Sequence, residues 1–198
     1  MKKKLVLATA NKDKIVEIKK LLGDLDIELL CTTDFPDMPE VVEDRDTLEG
    51  NAIKKAREIS EFTGLPAVSD DTGLEVDYLN GDPGVYSARY AGEQATYADN
   101  VNKLLTELSS VGIENRAGKF RCVVAFYENG AAMTVEGQCN GIIAETPRGD
   151  KGFGYDSVFI LPEHNQTFAE MERDVKNSIS HRGLAFRRFH DLLRKRWF

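Results

Sequence analysis

The feature that most constrains this chain is an alternation at its start. Leu5 to Ala10 is a largely apolar run, and Ile15, Ile18, Leu21 and Leu22 then recur at helical spacing before Gly23. This reads as a buried strand over Lys4 to Thr9, followed by a helix from about Lys12 to Leu22 with glycine as its stop. Ile27 to Cys31 reads as a second strand, and Asp34 to Pro39 as a loop broken by two prolines. Thr47 can cap a helix whose inner face carries Leu48, Ala52, Ala56 and Ile59 and which ends near Gly64. A strand through Ala67 and Val68 should lead into a turn, Ser69-Asp70-Asp71-Thr72-Gly73, with strand character resuming at Leu74 to Tyr78.

The middle of the chain changes character. Asn80 to Gly92 reads as a long ordered loop, and a helix carrying Val101, Leu104, Leu105 and Leu108 follows. Phe120, Cys122, Val124 and Phe126 alternate, and Asn129-Gly130 is a hairpin turn before Met133 to Val135. Arg148 to Asp156 is a second glycine-rich loop, and Thr167-x-x-Glu170 looks like a capping box for a short helix. A last helix from about His181 buries Leu184, Ala185, Phe189, Leu192 and Leu193. The sum is a mixed α/β architecture on one elongated central sheet, with helices forming two lobes around a substrate cleft, in a single two-lobed domain over residues 1–198.

Charge narrows the function classes. With 26 Lys+Arg against 33 Asp+Glu the chain carries a net charge of −7, which disfavours broad, charge-driven nucleic-acid binding but permits a compact basic pocket for one small anion. Met1 to Lys4 is basic, but the apolar run after it is too short for a signal peptide, and no run approaches the roughly 20 apolar residues of a membrane helix. Cys31, Cys122 and Cys139 are widely spaced and lack a CxxC pattern, so the cytoplasm is the expected location.

Four segments can carry chemistry. Thr9-Ala10-Asn11-Lys12-Asp13-Lys14 lies between a strand and a helix start, where backbone N–H groups suit a phosphate; the same residues also suit an ordinary helix N-terminus with solvated lysines. Asp70-Asp71 supplies the hard oxygen ligands that Mg²⁺ prefers, with Glu43, Asp44, Asp46 and Glu49 as further acids, or else forms an acidic turn. Gly152-Phe153-Gly154-Tyr155-Asp156 either lets a planar ligand approach and stack on Phe153, or is a turn with two core aromatics. Lys176 with Ser180-His181-Arg182 puts cations at a helix N-terminus, against the dipole; an anionic ligand would resolve that conflict, and a solvated surface is the plainer reading.

In order along the chain, Thr9-x-Asn11-x-x-Lys14, Asn51-Ala52-x-x-Lys55-Ala56, Ser69-Asp70-Asp71-Thr72-Gly73-Leu74, Pro83 to Tyr90, Gly152-Phe153-Gly154-Tyr155-Asp156 and Lys176-x-x-x-Ser180-His181-Arg182 closely resemble the inosine/xanthosine triphosphate pyrophosphatase family, the Ham1-like proteins. The resemblance runs from Leu5 to the last helix. Ala10 stands where many members have glycine and Ser157 where proline is common. It implies hydrolysis of non-standard purine triphosphates (ITP, dITP, XTP) to the monophosphate and pyrophosphate, with Mg²⁺ as cofactor and a homodimer as the assembled form. Carried onto matching positions, it implies that Thr9, Ala10, Asn11, Lys12, Asp13 and Lys14, with Lys55, hold the triphosphate. Asp71 would be the general base and, with Glu43, position Mg²⁺; Thr72, Phe153, Gly154, Tyr155, Asp156, Lys176, His181 and Arg182 would contact substrate. No nucleic-acid or membrane partner is expected. A pyrophosphatase for modified pyrimidine triphosphates and a non-catalytic nucleotide-binding module are the rival readings.

Overall fold

The computed structural model describes residues 2–198; Met1, the first residue of the basic start, lies outside the described residues. Among the described residues, eight strands and five α-helices alternate with short 3₁₀ turns. The strands are β1 (Lys3–Leu7), β2 (Ile27–Cys31), β3 (Ala67–Val76), β4 (Pro83–Gly84), β5 (Ala117–Glu128), β6 (Ala131–Ile143), β7 (Phe159–Leu161) and β8 (Gln166–Thr167). The helices are α1 (Lys12–Leu21), α2 (Leu48–Thr63), α3 (Tyr97–Glu107), α4 (Arg173–Ile179) and α5 (His181–Trp197). The strand order is β2-β1-β3-β5-β6-β7-β8, with β4 paired to β3. β1 runs parallel to β2 and β3, whereas β4 is antiparallel to β3, β7 to β6 and β8 to β7. The fold is therefore mixed α/β on an open sheet, as the sequence implies.

The chain divides into two compact units: Met1–Asp71, Cys122–Gly137 and Arg182–Phe198 form the first, Thr72–Arg121 and Gln138–His181 the second. In the first unit both faces of β1 are covered, which explains its apolar run. Leu5 and Leu7 join a core with Ile18 and Leu22 beside α1 and with Ala185, Phe186, Phe189 and Leu193 of α5. Val6 and Ala8 point the other way, to Ile59 of α2 and Ala67. Helix α2 begins and ends as its sequence predicts: Thr47 Oγ1 accepts the Gly50 N–H at 3.0 Å, and Gly64 closes it at φ 68°. The same inner face also buries Asn51 and Lys55, two polar residues that periodicity alone does not single out.

Two expectations change. Ser69 to Gly73 is not a turn between two strands: β3 runs unbroken from Ala67 to Val76, with Asp70 and Asp71 buried inside it. Adjacent acids break a strand when their charges need water, but here lysine and arginine side chains neutralise them in place, so the ladder continues. The Thr167/Glu170 capping box forms, yet it caps a single 3₁₀ turn, Phe168–Glu170, and α4 starts only after Glu172. The Asn129-Gly130 hairpin forms between β5 and β6, both residues at positive φ, and β6 runs well beyond Met133 to Val135. Among the described residues, no helix is long and apolar enough to cross a membrane.

The second unit packs Leu74, Val101, Leu104, Leu108, Phe120, Phe159 and Phe168 into one core. Beside it Arg116, 3% exposed, donates to three carbonyls: Val111 O at 2.9 Å, Ala144 O at 3.0 Å and Leu108 O at 2.7 Å. Leu108 is the C-cap of α3, so the guanidinium meets the negative end of that helix and ties it to the residue after β6. Arg116→Met keeps the stem but removes three hydrogen bonds, each worth about 1 kcal/mol or more, and takes the guanidinium donor from Val111 O and Ala144 O, while Leu108 O still accepts the Val111 N–H. Urea denaturation is expected to show a loss of about 3 kcal/mol, whereas Arg187→Met, on the exposed face of α5, should change stability by less than about 0.5 kcal/mol.

Candidate active site

The first unit gathers a chain of charges around β3. Lys14 Nζ lies 3.0 Å from Asp70 Oδ2, and Arg182 Nε donates to the same oxygen at 3.3 Å. Arg182 also donates through its Nη1 to Glu17 Oε2 at 2.7 Å. Glu17, Asp70 and Arg182 are all buried, so three elements, α1, β3 and α5, are joined by ion pairs that water does not screen. Arg182 explains the odd cation at the α5 N-terminus: the anion that resolves the conflict comes from the protein itself. Sequence reasoning missed Glu17, which lies three residues after Lys14 on α1; the only signal was a glutamate next to the apolar Ile18 on the inward side of the helix.

A second cluster adjoins it. Lys55 Nζ donates to Glu43 Oε1 at 2.7 Å, to Asp70 O at 2.9 Å and to Asp71 Oδ1 at 3.3 Å. Asp71 Oδ2 is buried with no hydrogen-bond partner among the described residues. The two neighbouring acids differ in their charge surroundings. Burial works against ionising Asp70, but the charges of Lys14, Arg182 and Lys55 outweigh it and hold this carboxyl well below the usual carboxylate range. Burial lifts Asp71 above its ordinary value, and the pull of Lys55 does not cancel this against the nearby Glu43 and Asp70. Burial likewise works against the Lys55 ammonium, but Asp71, Glu43 and Asp70 raise it overall, so it stays charged.

The N-terminal segment folds as a capped helix start. Asn11 Oδ1 accepts the N–H groups of Asp13 at 3.0 Å and Lys14 at 3.2 Å, and Thr9 Oγ1 accepts the Asn11 N–H at 3.1 Å. Asn11 therefore takes up two donors that the sequence left open to a phosphate. Ala10, Lys12 and Asp13 are exposed and Lys14 is half-buried.

The second unit holds a separate group. Asp156 Oδ2 accepts from Lys176 Nζ at 2.7 Å and from the Phe153 N–H at 2.9 Å, and Lys176 lies 5.2 Å from the Phe153 ring. Gly152 is required here: it sits at φ 75°, and a Cβ would come within 2.1 Å of Asp156 Oδ2. Gly154 is also at positive φ. Tyr155 is a core residue whose hydroxyl donates to Ser87 O at 2.9 Å, and buried His181 stacks on Phe120 with centroids 4.4 Å apart. Thr72 follows Asp71 on β3 and is half-buried.

A buried acid with one unclaimed oxygen beside a lysine, on a mixed α/β sheet, defines a candidate hydrolytic centre for phosphorylated substrates. The comparisons are specific: the model of the Ham1 family matches residues 5–192, and the chain belongs to that family. It is 49% identical over 193 residues to the dITP/XTP pyrophosphatase of Desulforamulus reducens, covering 97% of this chain and 96% of that protein. The enzyme of the same name from Geobacter sulfurreducens is also 49% identical, over 96% of each chain. The structure of a Ham1 protein from Coxiella burnetii superposes with a TM-score of 0.90 at 42% identity, covering 98% and 99% of the two chains.

The opposite shifts of the two acids give opposite stability effects. Asp70, with its lowered value, contributes stability that is present above the unfolded carboxylate range and lost as pH falls through the folded value. Asp71, with its raised value, favours the folded state at low pH and loses that contribution as pH rises. At pH 7 thermal unfolding should show Asp70→Asn destabilised by about 3 kcal/mol or more, since it leaves buried cations short of a partner. Asp71→Asn should match or exceed wild-type stability; a loss equal to that of Asp70→Asn would contradict this division.

Proposed function

We propose that this chain hydrolyses non-standard purine nucleoside triphosphates, dITP, XTP and ITP, to the monophosphate and pyrophosphate. The observation that carries the reading is Asp71: a buried carboxylate with a raised pKa and one unclaimed oxygen, in a chain whose relatives are named dITP/XTP pyrophosphatase. Asp71 accepts the proton of a water that attacks the α-phosphorus, Lys14 and Lys55 meet the phosphates, and pyrophosphate leaves. Hypoxanthine and xanthine present a keto acceptor at C6 where adenine presents an amino donor. Donors facing C6 therefore favour keto purines, a mismatched buried donor pair costing about 1–3 kcal/mol.

Mg²⁺ fits this donor set. In the first unit Lys14, Lys55 and Arg182 face Glu17, Glu43, Asp70 and Asp71, three positive charges against four negative. A triphosphate of about four negative charges needs further positive charge there. Mg²⁺ takes one or two carboxylates and otherwise prefers water and phosphate oxygens. Glu43 and Asp71, both within 3.3 Å of Lys55 Nζ, offer that number, and Asp71 Oδ2 is unclaimed. Bound there, the ion supplies charge neutralisation for the phosphates and the leaving group. A homodimer in the cytoplasm, with no nucleic-acid or membrane partner, completes the proposal.

A side-by-side assay of pyrophosphate release from ITP, XTP, dITP, GTP, ATP, dUTP and dTTP tests the substrate class. The three non-standard purines should lead, EDTA should abolish turnover, and Asp71→Asn should lower kcat by about 10²–10⁴-fold. Preference for dUTP or dTTP would move the reading to modified pyrimidines, and tight ITP binding without phosphate release would make the chain a binding module.

A further inference from the structure

Residues 42–45 have no helix or strand of their own, yet α2 holds all four. Lys54 Nζ donates to Val42 O at 2.7 Å and to Asp44 Oδ1 at 2.8 Å. Lys55 Nζ holds Glu43 at 2.7 Å, and Asn51 Oδ1 accepts the Arg45 N–H at 2.9 Å. The segment lies so close to the helix that a Cβ on Gly50 would stand 2.9 Å from Arg45 Cβ. Among these grips Asn51 is distinctive. It is fully buried, and its Nδ2 has no hydrogen-bond partner among the described residues, a cost the fold carries. The Arg45 N–H fixes the amide's orientation, because a flipped amide would set donor against donor.

We propose that Asn51 is a positioning residue. By holding Arg45 two residues beyond Glu43, it keeps the segment on α2 and delivers the Glu43 carboxylate to Lys55 and Asp71. This rests on the reading of Glu43 as a Mg²⁺ ligand. Glycine at position 50 belongs to the same device: alanine is the better helix former there, but its Cβ would push Arg45 away.

The test is a double-mutant cycle on the full chain, with ITP as substrate. Asn51→Leu should raise the Mg²⁺ concentration for half-maximal rate by about tenfold or more, with KM for ITP at saturating Mg²⁺ little changed. Mn²⁺ binding to the free protein, read from the paramagnetic signal of the unbound ion, should weaken in parallel. In a Glu43→Gln background the same substitution should add less than about twofold, because the group it positions is already disabled. Asn51→Asp, which keeps the acceptor for Arg45, should stay within about threefold of wild type, as expected of a rescue. Equal losses in both backgrounds, or an Asn51→Asp loss as large as that of Asn51→Leu, overturn the proposal. If Asn51→Leu does not fold, Gly50→Ala decides: the same Mg²⁺ shift supports the role and an unchanged Mg²⁺ requirement overturns it. A Glu43→Gln variant with wild-type Mg²⁺ dependence would sink the Glu43 assignment and this proposal together. An effective Glu43→Gln with a silent Asn51→Leu sinks only the latter.

Discussion

The first unit depends on Asp70. Its carboxylate is completely buried in the middle of a strand and is matched by Lys14 from α1 and Arg182 from α5, with Glu17 completing the arginine's partners. Remove Asp70 and Lys14 loses its carboxylate partner, while the buried Arg182 loses one carboxylate and keeps Glu17. Keep it, and the start of α1, the centre of β3 and the start of α5 are held in one register. Lys14, proposed to meet phosphate, is thus anchored by an acid that need not touch substrate.

This gives adjacent aspartates different work. Side chains of neighbouring strand residues point to opposite faces, so Asp70 and Asp71 meet different partners although they share a peptide bond. Asp70 faces two buried cations and is locked as a carboxylate. Asp71 shares Lys55 with Glu43 and keeps an oxygen unclaimed. One acid is held ionised by buried cations, and its neighbour is lifted above its ordinary value by burial and by the nearby Glu43.

Much of this was legible in order but not in contact. The N-terminal strand and helix, the Thr47 cap with Gly64 at the other end of α2, and the Asn129-Gly130 hairpin all rest on local chemistry, and they form where the sequence puts them. The unbroken course of β3 was not legible, because two adjacent acids look like a turn until their counter-charges, more than fifty residues before and more than a hundred after, are in place. Glu17 escaped for the same reason, and Asn51 entered only as a letter in a motif. Each is an ordinary polar helix residue by composition, and its partner, the Arg182 side chain or the Arg45 N–H, is supplied by the fold.

The net charge of −7 leaves open how the cations are partnered at any one site. Lys14, Lys55, Lys176 and Arg182 are each paired with a carboxylate, Asp70, Glu43 and Asp71, Asp156, and Glu17 with Asp70 respectively. By itself the sequence determined the family, the elements and the chemical types available, because motif order and hydrophobic period are local properties. Which acid is locked, which is left reactive and which residues hold them there were decided only by the fold, since a carboxylate's ionisation depends on charges that the sequence places far away and packing brings to about 3 Å.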